Sequence, residues 1–282
     1  MAPDDNPAVS AGEAADAAAG RLGLRIVDLT TVAEQKAAAD LFCRIWRAAS
    51  PDQLINASMM RALAHSGNYV VGAYRGGRLL GAAVAFLGHD HLHSHITGVD
   101  PAGQSAGVGY AIKLHQRAWT LRRGIPEVRW TFDPLVRRNA YFNLHKLGAR
   151  AAAYLPDFYG EMDDGINTGD ATDRLYIRWE LASPAVAAAV RGQAPDRRPT
   201  AAVLLDRSAA EAPVEPAAPP ALDGEAVLVA VPSDVEALRR RDPQLARQWR
   251  YAVREAMGHA LDRGYRITGF GDDGRYLMEE SP

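Results

Sequence analysis

Gln104-Ser105-Ala106-Gly107-Val108-Gly109 lies between an apolar strand pattern and an apolar helical one. Upstream, His91-Leu92-His93-Ser94-His95-Ile96-Thr97-Gly98-Val99 reads as a strand. Downstream, residues 110–123 carry apolar side chains at helical spacing and stop at Gly124. The first turn of a helix presents N–H groups that have no intrahelical partner, together with the positive end of the helix dipole. Both favour a phosphate or pyrophosphate. Glycines let the backbone approach such an anion with no Cβ in the way. A glycine pair also marks a plain turn, so its meaning depends on what surrounds it.

Working outward, Leu24–Leu29 is a short alternating strand, and Thr30 or Thr31 can cap a helix over 32–48. Ser50-Pro51-Asp52 opens a second helix that ends near Ser66-Gly67. Residues 69–74 and 79–87 form a hairpin across Gly76-Gly77, which supplies the positive φ angles of a two-residue turn. After the loop's helix come a strand at 127–132, a helix at 138–147 and two strands at 149–154 and 174–181. The tail has a strand at 226–231, a helix from Asp242-Pro243 to about 263 and a strand at 265–270. These elements give an α+β chain of four parts: a disordered N-terminus (1–21), a main domain (22–182), an Ala/Pro-rich linker (183–224) and a small C-terminal βαβ unit (225–282).

The chain has 282 residues and a formal net charge of −2, so bulk charge gives no case for nucleic acid or an anionic membrane surface. No run of about 18 apolar residues is present to span a bilayer, and the N-terminus has no signal-peptide pattern. The single cysteine, Cys43, excludes a disulfide within the chain and fits a reducing cytoplasm. It lies in an apolar helical pattern and reads as a small buried hydrophobe.

The element order over 22–181 resembles the GNAT superfamily of acyl-CoA N-acyltransferases. Val99-Asp100-Pro101 resembles that family's entry into the loop. Asn139-Ala140-Tyr141-Phe142-Asn143-Leu144-His145-Lys146-Leu147-Gly148 resembles its second signature. The resemblance implies a mixed, mostly antiparallel sheet with flanking helices, splayed between the fourth and fifth strands. It implies acyl-CoA as co-substrate, either acetyl-CoA or succinyl-CoA, with its pyrophosphate on Gln104, Ser105, Ala106, Gly107, Val108 and Gly109. The pantetheine would lie along Thr97, Gly98 and Val99, with Asn139 and Phe142 flanking it. A dinucleotide-binding reading fits less well, because hairpin strands precede the loop where a first βαβ unit should stand.

Amine acylation needs a neutral amine and a route for the leaving thiolate. Many members of the family carry a carboxylate base eleven positions before the loop's first residue, where this chain has His93. Histidine can do that work near neutral pH. His91, His93 and His95 alternate and share one strand face. A zinc site on them and plain hydrogen-bonded surface histidines are the competing readings; no metal is assigned. Asp133 could hold an amine or orient a histidine, or simply form an Asp-Pro turn. Where the family often has a tyrosine acid, this chain has Leu144, so Tyr141, His145 or Tyr159 substitutes, or the thiolate leaves without a protein acid. The expected catalytic set is His93, Asp133 and Tyr141.

The aromatic and acidic loop 154–165 reads as acceptor site or plain connector. Short stretches such as His93-Ser94-His95-Ile96 and Asp157-Phe158-Tyr159-Gly160-Glu161-Met162 resemble a subgroup associated with N-acylation, including N-succinylation, of amino acids. The tail helix stripe Leu245, Trp249, Val253, Ala256, Met257 and Ala260 reads as packing on a sheet or a dimer face, which leaves a homodimer open. The expected function is direct acyl transfer from CoA to a small-molecule amine in the cytoplasm. The alternative is a non-catalytic module of the same fold that senses CoA esters or a metabolite.

Overall fold

A computed structural model of the chain describes residues 6–101, 107–160, 170–193, 200–218, 220–224 and 226–280. The described residues fall into two compact units, one of 6–130 with 180–182, the other of 131–160, 170–179 and 183–280.

The first unit opens with helix α1 (Pro7–Arg21). Asn6 caps it by accepting from the Ala8 N–H at 3.0 Å, and Pro7 sits in the first turn. The expected disordered N-terminus is thus corrected for the described residues. Ala11, Ala15 and Ala18 are buried, and the helix packs on the later helix α4 (Val108–Leu121). Alanine is the best helix former, and its small side chain lets a partner helix come close. Composition reads the same alanines as disorder.

Strand β1 (Arg25–Asp28) leads to α2 (Val32–Trp46), started by a Thr31/Glu34 capping box. The single helix expected from Ser50 breaks in two. A 3₁₀ turn at Pro51–Gln53 is followed by α3 (Ala57–His65), because Asn56 accepts from the Met59 N–H at 2.9 Å and caps a new start. Strands β2 (Tyr69–Arg75) and β3 (Arg78–Leu87) form the expected hairpin. Gly76 and Gly77 have φ of 57° and 80°, as a type I′ turn requires. Then come β4 (Leu92–Val99), α4 and β5 (Glu127–Phe132). The order is β1-β2-β3-β4-β5; the first three pairings are antiparallel and β4–β5 is parallel. Leu29, Leu41, Phe42, Met60, Val70 and Val84 anchor a core under α2 and α3.

The second unit holds α5 (Arg137–Ala140), a π-helical turn (Tyr141–Lys146) and the antiparallel pair β6 (Arg150–Leu155) and β7 (Arg174–Glu180). It continues through α6 (Pro184–Val190), β8 (Ala201–Arg207), β9 (Pro213–Val214), β10 (Ala226–Ala230), α7 (Val235–Arg241), α8 (Pro243–Asp262), β11 (Tyr265–Phe270) and β12 (Arg275–Glu280). Five of these strands make a sheet in the order β11-β12-β10-β8-β9.

The linker expected over 183–224 is corrected by α6 and by β8, which pairs parallel with β10 from Ala201↔Ala226. The short apolar run at 201–205 becomes a strand only because a partner far along the chain covers its edge. The tail's strand–helix–strand holds in modified form. β10 and β11 both run antiparallel to β12, which inserts between them and splits the βαβ unit. α8 buries Ala246, Trp249, Arg250, Val253, Met257 and Ala260. The stripe therefore includes an arginine that hydropathy cannot place inside.

Candidate active site

In the first unit the face of β4 carries a row of aromatic rings. His93 lies 6.5 Å from His91 and 6.4 Å from His95, centroid to centroid, and 4.9 Å from the Phe86 ring of β3. A β-bulge between Ile96 and Ser94 makes His95 the extra residue of the strand. Asp90 bonds His91 Nδ1 at 2.7 Å and also receives Arg129, which Glu127 holds from the other side.

Among the described residues no carboxylate bonds His93. Burial, with the histidines on either side and Lys113 adding to it, brings its pKa down to about 4, so it is neutral at physiological pH. Such a histidine is a weak base. It suits a proton made acidic by attack of the amine on a thioester, and not the removal of one from a free ammonium. Its ring neighbours Phe86 and His95 line a cleft of about 440 Å³ together with Asp52, Leu54, Ile55, Asn56, Met59 and Leu63.

The β4–β5 ladder registers Leu92↔Val128 and His93↔Arg129. β4 continues to Val99 beyond that register, which is the fork expected between the fourth and fifth strands. Ser94 and Trp130 are the next residues on the two strands. Lys113 of α4 meets both: its Nζ donates to Ser94 Oγ at 2.9 Å and to Gln116 Oε1 at 3.1 Å, and stands 4.0 Å from the Trp130 ring centroid. Sequence reasoning passed over Lys113. The available signal was that it is one of three lysines in an arginine-rich chain and lies on the apolar face of a helix.

Of the glycine loop, Gln104, Ser105 and Ala106 lie outside the described residues. Gly107 caps α4 with φ 86° and makes no side-chain cap, so the first-turn N–H groups of α4 are left without one. Val108 is buried, and Gly109 lies beside Val99, which a Cβ there would meet at 3.4 Å. Gly98 answers first to packing: a Cβ would come within 3.0 Å of Phe42, Ile45 and Trp46. Thr97 Oγ1 is buried without a partner. Cys43 is half-buried, and burial raises its thiol pKa.

In the second unit Asp133 has a different post from the catalytic one expected. Arg250 donates to both of its oxygens at 2.8 Å, Arg239 donates to one at 2.6 Å, and the same guanidiniums grip Asp170. Burial alone would raise the Asp133 pKa. The charges of Arg250 and Arg239 more than reverse that, holding it well below the usual carboxylate range. With both oxygens engaged, Asp133 has nothing left for an amine or a histidine; its Asp-Pro turn is also present, with Leu135 N–H donating to it at 2.9 Å. Asp173 similarly receives Tyr154 and Arg254. Tyr141 stacks on His145 at 4.7 Å within the π-helical turn that also carries Phe142, while Asn139 N–H bonds the Val136 carbonyl at 2.9 Å. Leu144 is buried. Tyr159 contacts Thr131 at 3.1 Å and lies under Arg174. Glu161, Asp163 and Asp164 lie outside the described residues.

Residues 13–141 match the family described as the acetyltransferase (GNAT) domain. The match covers less than half of the chain and identifies residues 13–141 as similar to a GNAT acetyltransferase domain. Similar solved structures include the ribosomal-protein-S18-alanine N-acetyltransferase of Escherichia coli (17% identity, 57% of this chain, 95% of that one, TM-score 0.45). They also include an IAA acetyltransferase of Bacillus cereus (14%, 56% and 99%, TM-score 0.44). A third is an aminoglycoside 6'-N-acetyltransferase complexed with coenzyme A (15%, 56% and 97%, TM-score 0.43). No curated protein matches the chain. No helix among the described residues is long and apolar enough to cross a membrane.

Proposed function

We propose that the protein transfers an acetyl or succinyl group from CoA directly to the amine of a small molecule such as an amino acid, in the cytoplasm. One observation carries this reading: a histidine held neutral on β4, beside an apolar cleft and at the mouth of a fork between β4 and β5. The residues fit an acyl-CoA donor. Gly107, Val108 and Gly109 place uncapped N–H groups of α4 where a pyrophosphate would sit, with Gln104, Ser105 and Ala106 completing the loop. The orphaned Thr97 hydroxyl, with Gly98 and Val99, lies on the strand that would carry the pantetheine. Asn139 and Phe142 keep their proposed donor contacts, and Tyr141, stacked on His145, is one candidate for the acid that meets the leaving thiolate.

His93 takes the proton that the acceptor nitrogen sheds as it attacks. Leu54, Met59, Leu63 and Phe86 receive an apolar part of the acceptor and keep water from the thioester, while Asp52 and Asn56 offer polar contacts. The fold holds the reactants together, so no covalent enzyme intermediate is needed.

The test is thermal unfolding with acetyl-CoA, succinyl-CoA and NAD, followed by a screen of amines for thiol release. A ligand at 100 times its Kd stabilises by about 2.7 kcal/mol. Stabilisation by a CoA ester and not by NAD, with thiol release on adding an amine, is the expected result. Stabilisation without turnover of any amine would move the protein to the sensing module, and no stabilisation by any CoA species would sink the transferase reading.

A further inference from the structure

Lys113 is a buried lysine, 5% exposed, whose two hydrogen-bond acceptors, Ser94 Oγ and Gln116 Oε1, are both neutral. A buried ammonium without a counter-charge costs stability, so its position asks for a reason. It bridges the two strands at the first residues past their shared register, where β4 and β5 part. From Val99 to Ser94, β4 runs five residue steps, about 17 Å at 3.3–3.4 Å each. An extended pantetheine arm anchored at the α4 N-terminus and laid along β4 ends its sulfur in that region.

We propose that Ser94 and Lys113 supply the proton for the leaving thiolate, Ser94 touching the sulfur and Lys113 recharging Ser94. The proposal rests on the transferase reading above and deepens it. As the acceptor nitrogen bonds to the acyl carbon, the carbon–sulfur bond breaks and its electron pair stays on sulfur. Sulfur takes the Ser94 hydroxyl proton, and Ser94 Oγ takes one from the Lys113 ammonium, which becomes a neutral amine. The proton lost by the acceptor nitrogen goes to His93 and then to solvent, and solvent returns one to Lys113, so the count balances.

The hydrogen-bond direction agrees: Lys113 donates to Ser94, which leaves the hydroxyl hydrogen of Ser94 to point elsewhere. Burial lowers the lysine pKa to about 7, so the ammonium gives up a proton readily at neutral pH. Leu144 has no hydroxyl to offer as an acid.

The experiment has two arms. In the first, Lys113→Met and Ser94→Ala are compared with wild type using acyl-CoA and an acyl thioester of a more acidic thiol. Each variant should lower kcat with acyl-CoA by about 10²-fold, leave KM for acyl-CoA nearly unchanged, and recover most of the loss with the better leaving group. In the second, the wild-type protein labelled with ¹⁵N-lysine is titrated by NMR with CoA and with desulfo-CoA; only Lys36, Lys113 and Lys146 contribute signals. The Lys113 signal should respond to CoA and much less to desulfo-CoA.

Equal losses with both thioesters, equal responses to both ligands, or a loss confined to Tyr141→Phe would overturn the proposal. If Lys113→Met fails to fold, Ser94→Ala and the wild-type titration still decide. Thermal stabilisation by CoA with a silent Lys113 overturns this proposal alone; no stabilisation by any CoA species overturns the transferase reading and this one with it.

Discussion

Two clusters of buried titratable groups differ in how their charge is handled. On β4 and α4, the half-buried His93 and the buried Lys113 lie beside neutral or like-charged partners, and desolvation drives both toward their uncharged forms. In the second unit, Asp133 and Asp170 are gripped by Arg239 and Arg250, and opposite charge holds the Asp133 carboxyl below and the Arg250 guanidinium above their usual ranges. The first arrangement stores reactivity, since His93 stays neutral at physiological pH and Lys113 can change protonation there. The second is fixed at Asp133, which nothing short of strong acid discharges. Acidity alone made Asp133 look catalytic; its partners make it a rivet.

The largest expected effect breaks the comparison on the catalytic side. His93→Gln should lower kcat by about 10²–10⁴-fold with thermal stability nearly unchanged; an unaltered kcat would remove His93 from the mechanism. Next comes the rivet. Arg250→Met leaves Asp133 and Asp170 short of a partner and should destabilise by about 3–5 kcal/mol in urea unfolding. A loss below about 1 kcal/mol would mean that Arg239 alone suffices.

The two clusters also predict opposite mutational signs. Lys113 has a folded pKa of about 7 against 10.5 unfolded, so the unfolded chain binds more protons between those values and stability rises with pH across that window. Lys113→Met should therefore stabilise the protein at neutral pH, by on the order of 2 kcal/mol or more, and flatten the slope above pH 7. Asp133 has a depressed folded pKa, so its contribution is present above about pH 4 and is lost as pH falls. Asp133→Asn should flatten the acid limb of a stability–pH profile. The smallest effect is at the loop. Gly107→Ala, at φ 86°, should cost about 1 kcal/mol or somewhat more and raise KM for the acyl donor.

Much of the first unit was legible because its signals are local. The Gly76-Gly77 turn, the Thr31 cap and the glycine before α4 each act within a few residues, and the alternation of β4 put three histidines in one row. The fork was legible through the family resemblance and not through any residue pattern. Asp133 misled because a carboxylate beside a proline reads the same whether solvent or two arginines face it, and Arg239 and Arg250 lie more than a hundred positions away.

By itself the sequence determined the local elements of the first unit, its resemblance to GNAT acyltransferases and the strand on which the candidate base stands, because hydropathy period, turn glycines and caps are short-range physics. The tertiary structure alone decided that the first helix is ordered, that 201–207 is a strand, that Asp133 is ion-paired and that Lys113 closes the fork. Each of those depends on a partner distant in sequence, and burial, pairing and pKa are properties of what surrounds a residue and not of the residue itself.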